Sequence, residues 1–110
     1  MEVVLIYVTT KDKSEARVIG RDLVQSRLVA CVNIFDGMNS MYFWEDQFQD
    51  DQEAVLIAKT TAARATEVVE AIRARHSYEC PCIVTLPISG GNPAFLDWIA
   101  GQVAHVGDPH

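Results

Sequence analysis

His76, Cys80 and Cys82 fall within one short stretch that also holds Tyr78 and Glu79, so an imidazole, a phenol, a carboxylate and two of the chain's three thiols are gathered together. Imidazole nitrogen and thiolate sulfur in combination suit zinc or copper. In an extended segment, residues two apart point to the same side, so the sulfurs of Cys80 and Cys82 can approach one soft ion. A disulfide between them needs closer, converging Cβ atoms. The cluster supplies only three ligands, and its spacing matches no established zinc pattern. Structural roles stay open beside the metal reading: His76 at a helix end complements the carbonyl dipole, and free cysteines commonly pack as small apolar groups. His76, Cys80 and Cys82 are the candidate metal ligands. Copper or another divalent cation is the expected ion, and no organic cofactor is expected.

A second set of candidates suits a ligand cleft. Lys59 follows Ile57 and Ala58 in a run that otherwise reads as buried. A lysine there needs a carboxylate or an anionic ligand, or must reach solvent along its own stem. Tyr42, Trp44 and Tyr78 are candidate wall residues of the same cleft, and Cys31 is a further candidate, although its apolar strand makes it core first. Neither a phosphate-cradling glycine loop nor a nucleophile elbow is present. Cys31 and His76 as thiol and base have no support in their spacing. A non-enzymatic protein is expected.

The totals restrict the partners. With 15 acidic against 9 basic residues the net charge is -6, which repels a nucleic-acid backbone rather than releasing its counterions. No run approaches the roughly 20 apolar residues of a membrane span, and the first residues lack a basic n-region and a cleavage site. Three cysteines, two of them one residue apart, argue against a disulfide framework. These features point to one cytoplasmic domain over residues 1–110, binding neither nucleic acid nor membrane.

The elements that must hold these groups follow from periodicity. Val3-Val4-Leu5-Ile6-Tyr7-Val8 reads as a strand buried on both faces. Asp12 and Glu15 form a capping box for a helix to about Arg27, with Ala16, Ile19, Gly20, Leu23 and Val24 on its apolar stripe. A long strand then runs to Trp44 with a bend or bulge near Gly37. The polar stretch 45–52 reads as the turn, and residues 53–60 return as the partner strand. Thr61 caps a second helix to about His76, with Ala65, Val68, Val69 and Ile72 inward. Residues 83–88 form a fourth strand with Pro87 at its end or at a sheet edge. Asn92-Pro93 opens a closing helix. The order gives an α+β fold, a ferredoxin-like βαββαβ antiparallel sheet with helices on one face, a long β2-β3 hairpin and a C-terminal helix.

The hairpin is too long for its own domain. Residues 30–44 extended span about 50 Å at roughly 3.3 Å per residue. A domain of this size has a diameter of only about 34 Å. The tip should overhang, carrying Met41, Tyr42, Phe43 and Trp44, and such a patch is expected to be buried against another copy of the chain.

Several motifs share one register. These are Arg27-Leu28-Val29-Ala30-Cys31-Val32-Asn33-Ile34, Ser40-Met41-Tyr42-Phe43-Trp44, Glu53, Lys59-Thr60, His76-Ser77-Tyr78-Glu79-Cys80-Pro81 and Phe95-Leu96-Asp97-Trp98. In order and spacing they resemble the CutA divalent-cation tolerance family, along about nine tenths of the chain. The resemblance implies a ferredoxin-like protomer assembled as a homotrimer through its hairpin, a cytoplasmic role in divalent-metal tolerance with copper the usual ion, and a likeness to PII-type trimers. A PII-like signalling trimer binding a small anion or metabolite between subunits is the alternative function. The chain departs from the family pattern at Ser77, where proline is usual, at Cys82, where glutamate is usual, and at Asp46, where glycine is expected. Of the copper ligands of some bacterial members only His76 carries over, since Arg75 and Val8 stand at the other positions.

Overall fold

The computed structural model describes residues 2–104. Strand β1 (Val3–Thr10) is followed by helix α1 (Lys13–Gln25), the hairpin β2 (Cys31–Trp44) and β3 (Gln47–Thr61), helix α2 (Ala65–Arg75), strand β4 (Ile83–Pro87) and helix α3 (Pro93–Gln102). The sheet is antiparallel with order β2-β3-β1-β4, the ferredoxin-like arrangement expected. Central β1 pairs on both sides, which suits its β-branched run. Pro87 ends edge strand β4, where its missing N–H removes no internal bond.

Alternation divides the sheet into two faces. Val4, Ile6 and Val8 of β1 and Ala54, Leu56 and Ala58 of β3 pack against α1 and α2. The helices supply Ala16, Ile19 and Leu23 from α1, and Val68 and Ile72 from α2. Asp12 caps α1 by accepting the Glu15 N–H at 2.8 Å. Gly20 is where α1 meets the sheet: a Cβ there would lie 2.9 Å from Val32 Cγ2.

Three expectations need correction. Helix α3 does not join α1 and α2. Its Ile99, with Val103 just beyond it, packs on Val3 and Ala30 across the sheet, because Val3 points opposite to Val4. The hairpin turn is Glu45-Asp46 alone, with φ of 50° and 64°, and β3 begins at Gln47 rather than near residue 53. The acidic residues 47–52 are polar because that part of β3 lies in solvent, not because it is loop. Thr61 makes no side-chain cap; a 3-10 turn over Ala62–Arg64 intervenes before α2. Helix α2 ends at Arg75, about where expected, and His76 is its C-cap, already extended at φ -81° and ψ 142°.

The hairpin overhang is real. Strand β1 pairs β3 only from Thr61 to Ala54, so residues 38–53 continue as a two-stranded ribbon with no third strand. The molecule is 44 Å long and only 29 and 21 Å across. Met41, Phe43 and Phe48 are 63, 72 and 59% exposed on this ribbon.

Candidate functional site

The segment between α2 and β4, residues 76–82, is fixed by hydrogen bonds to three elements: the Thr9 carbonyl of β1 and the side chains of Glu15 in α1 and Glu53 in β3. The His76 ring lies 2.7 Å from the Thr9 carbonyl oxygen through Nε2, and its Nδ1 accepts the Tyr78 N–H at 3.1 Å. A carbonyl only accepts and an amide N–H only donates, so the neutral tautomer protonated at Nε2 satisfies both. Glu15 of α1 accepts the Ser77 N–H at 2.8 Å and the Lys11 N–H at 3.1 Å. Partial burial pushes the Glu15 carboxyl pKa up. Hydrogen bonds from Ser77 and Lys11 outweigh burial, leaving that pKa below the usual carboxylate value.

Tyr78 then leans on the His76 ring, with centroids 4.8 Å apart, and its hydroxyl donates to Glu53 Oε2 at 2.8 Å. Burial, followed by the bond to Glu53 and that residue's charge, holds the phenol well above the ordinary tyrosine range. Glu53 is only 7% exposed. The chain bends through Ser77–Cys80, Cys80 and Cys82 are both exposed, and the segment joins the sheet where the Thr9 N–H donates to the Cys82 carbonyl at 3.3 Å.

The opposite wall comes from the ribbon, and a bulge aims it. Phe35 faces Val55 and Met38 faces Glu53, so β2 has one more residue than β3 between those pairs. Gly37 takes φ of 71° there, and its N–H donates to Asp36 Oδ1 at 2.8 Å. Because side chains alternate, one extra residue reverses every later side chain. Tyr42 and Trp44 are thereby put on the face of Glu53, while Met41 and Phe43 take the other face. The Tyr42 hydroxyl donates to Asp51 Oδ2 at 2.9 Å, and that bond leads the causes that raise its pKa.

Together these walls enclose a cleft of about 510 Å³, large enough for a small organic molecule. Tyr42, Trp44 and Tyr78 give it aromatic sides; Glu53 and Glu79 give it charge; Cys80 and Cys82 add thiols. Thr9 and Ser77 complete it. Five of the candidates read from sequence therefore meet in one place. Cys31 and Lys59 do not: they pair with each other across β2 and β3, with Lys59 Nζ 3.8 Å from Cys31 Sγ and donating to Asn33 Oδ1. Lys59 Nζ also lies 6.0 Å from the Phe95 ring centroid. Six residues along β3 separate this pair from Glu53, on the order of 20 Å. The physical reason is strand register, which sends Lys59 to the same face but to the opposite end.

His76 lies behind the cleft rather than in its lining, with both ring nitrogens engaged in the hydrogen bonds above. Among the described residues no group of three or more His, Cys, Asp or Glu side chains is disposed to hold a metal ion. The trio His76, Cys80 and Cys82 thus does not fit a resident ion. Sequence reasoning missed Glu53 and Glu79 as cleft residues. Glu53 carried one signal, an acid at the start of an otherwise apolar strand run.

This fold has close counterparts. The CutA1 divalent ion tolerance protein family matches residues 4–102. The divalent-cation tolerance protein CutA of Thermus thermophilus is 45% identical over 98 residues, covering 89% of this chain and 93% of that one. The chloroplastic CutA protein of Arabidopsis thaliana is 36% identical, and there the chain spans about half, 53%, of the relative's length. Among solved structures, CutA1 from Oryza sativa superposes with a TM-score of 0.91 at 34% identity, covering 94% of this chain and 95% of that one. The periplasmic divalent cation tolerance protein CutA of Archaeoglobus fulgidus gives 0.89 at 38% identity, covering 93 and 99%. The chain belongs to the CutA1 divalent ion tolerance protein family.

Proposed function

We propose that this chain works as a homotrimeric, non-enzymatic protein of divalent-cation tolerance in the cytoplasm, with the ribbon of residues 38–53 buried against neighbouring copies. The ribbon carries the reading. A two-stranded hairpin is at best marginally stable alone in water, and this one exposes Met41, Phe43 and Phe48 on one side. The sheet face away from α1 and α2 adds Phe35, Val84 and Leu86, all exposed. By register the two sets lie on opposite faces of the sheet, and soluble monomers rarely leave such apolar surface uncovered. A closed ring of copies covers it, and three is the number the family resemblance implies.

Metal handling is supported by family membership and by the thiols of Cys80 and Cys82, which face solvent on the cleft wall and suit soft ions such as copper. His76 is not part of that proposal. All three cysteines are free, as a reducing compartment requires. No helix among the described residues is long and apolar enough to cross a membrane. The non-enzymatic reading is supported by Cys31, which has Lys59 rather than a histidine beside it. The cleft is lined by acids and by no lysine or arginine, so a small anion is not the ligand we assign.

Light scattering at micromolar concentration tests the assembly: three chain masses are expected, and one chain mass overturns it. Titration of the reduced protein with Cu(I) or Zn(II) tests the thiols. A Cys80→Ser, Cys82→Ser variant that binds as tightly as the parent removes them from the proposal.

A further inference from the structure

The cleft has a chemistry that tolerance of metal ions does not explain. Its two charged lining residues are both acids, Glu53 and Glu79, set among three aromatic rings. Glu53 is the unusual one. At 7% exposure it is largely removed from water, and none of the ion pairs among the described residues includes it. Among the described residues its one hydrogen-bond partner is the Tyr78 hydroxyl, on Oε2. Among the described residues no side-chain oxygen is both fully enclosed and without a partner. Oε1 of Glu53, on a residue that lines the cleft, therefore keeps exposure to solvent and can accept. A carboxylate so enclosed is costly unless a positive charge meets it.

The size and walls of the cleft say which positive charge. A bare metal ion needs several hard or thiolate donors within about 2.0–2.6 Å, and the donors here do not converge in that way. A volume of about 510 Å³ accommodates a small organic molecule instead. Tyrosine and tryptophan faces attract ammonium groups, and their area covers attached methylenes.

We propose that the cleft binds a protonated alkylamine, its N–H groups on Glu53 Oε1 and its carbon chain against Tyr42, Trp44 and Tyr78. Glu79 adds longer-range attraction at the rim, where it is exposed. All of these residues belong to a single chain, and Tyr42, Trp44 and Glu53 sit on the ribbon face opposite Met41 and Phe43; the inference rests on copies meeting through that Met41 face, and it needs no metal.

The test uses the full chain carrying Trp98→Phe, which leaves Trp44 as the sole tryptophan. Its emission is followed while butylammonium, butanol, butyrate or Zn(II) is added. Saturable change with butylammonium is expected, with the neutral and anionic analogues at least about tenfold weaker. Glu53→Gln should weaken butylammonium about tenfold with circular dichroism and solution mass unchanged. Should that buried change prevent folding, the exposed Glu79→Gln replaces it, and a weakening of about threefold is expected because only distant charge is lost. The proposal fails if butanol matches butylammonium, if only Zn(II) responds, if nothing saturates, or if folded variants bind as the parent does. Since mass is read on the same samples, failure of this site and failure of the trimer are distinguishable.

Discussion

Between residues 54 and 61, strand β3 has a neighbour on each side and two helices over one face; between residues 47 and 53 it has β2 alone. The same strand is thus two different materials. In the base, Ala54, Leu56 and Ala58 are fully buried, and stability comes from apolar area removed from water. In the ribbon, backbone bonds to one partner are all the chain supplies, and the apolar side chains are left outside. The base is a property of one chain, whereas the ribbon is built for something else to complete. The cleft sits at the seam: Glu53 is the last ribbon residue, next to Ala54, where β1 begins to pair.

The largest expected effect breaks the ribbon alone. Met41→Asp with Phe43→Asp should convert the assembly to one chain mass in light scattering while the helical signal of the base persists. A base variant should behave in the opposite sense: Leu56→Ala removes a fully buried side chain and should cost about 2–5 kcal/mol in urea unfolding. If Leu56→Ala cost as little as a surface change, the division between the two regions would be wrong.

Smaller effects test the seam. Deleting Gly37 removes the extra residue that aims Tyr42 and Trp44, so both should turn to the face of Met41. Trp44 emission should shift while the fold of the base is kept. Tyr78→Phe leaves Glu53 without its donor and should cost about 1.5–3 kcal/mol, the range for bonds to charged groups. The same residue gives a pH dependence. In the folded chain the Tyr78 phenol is held above its ordinary value, so the native state keeps that proton more tightly than the unfolded state does. Its contribution is full below about pH 10 and is lost as pH rises beyond that. Tyr78→Phe should flatten the fall in stability on the alkaline side. Glu15 has the reverse sign: its lowered pKa contributes above about pH 4.3 and is lost on acidification. The smallest effect is a gain. Glu45 and Asp46 both hold positive φ in the hairpin turn, and Asp46→Gly should stabilise by about 1 kcal/mol because glycine adopts that conformation without a Cβ clash.

Much of the base was legible in the sequence because its signals are local. The apolar run of β1, the Asp12 cap and the stripe of α1 each follow from neighbours within a turn or a strand. Gly37 marked the bulge because a glycine inside a strand pattern has few other uses. The ribbon was harder. Residues 47–52 look like loop by composition, and only pairing with β2 shows that a strand open to water on both faces has no reason to alternate. The face chosen by α3 was hidden for a related reason: Phe95, Leu96, Trp98 and Ile99 are apolar around much of the helix, so periodicity does not select a side.

The site divides in the same way. Residue types alone assembled the chemical inventory of residues 76–82, and the family register located it between a helix and an edge strand. The sequence by itself determined that an imidazole, a phenol and two thiols would lie on one short connection, because covalent proximity guarantees that much. Only the tertiary structure decided their roles. It turned the His76 ring back onto Thr9 and Tyr78, brought Glu53 from 25 residues away to the Tyr78 hydroxyl, and carried Lys59 to the far end of the sheet. Those outcomes depend on strand register and on one extra residue at a bulge, and both are set by pairing between distant segments rather than by any run of neighbours.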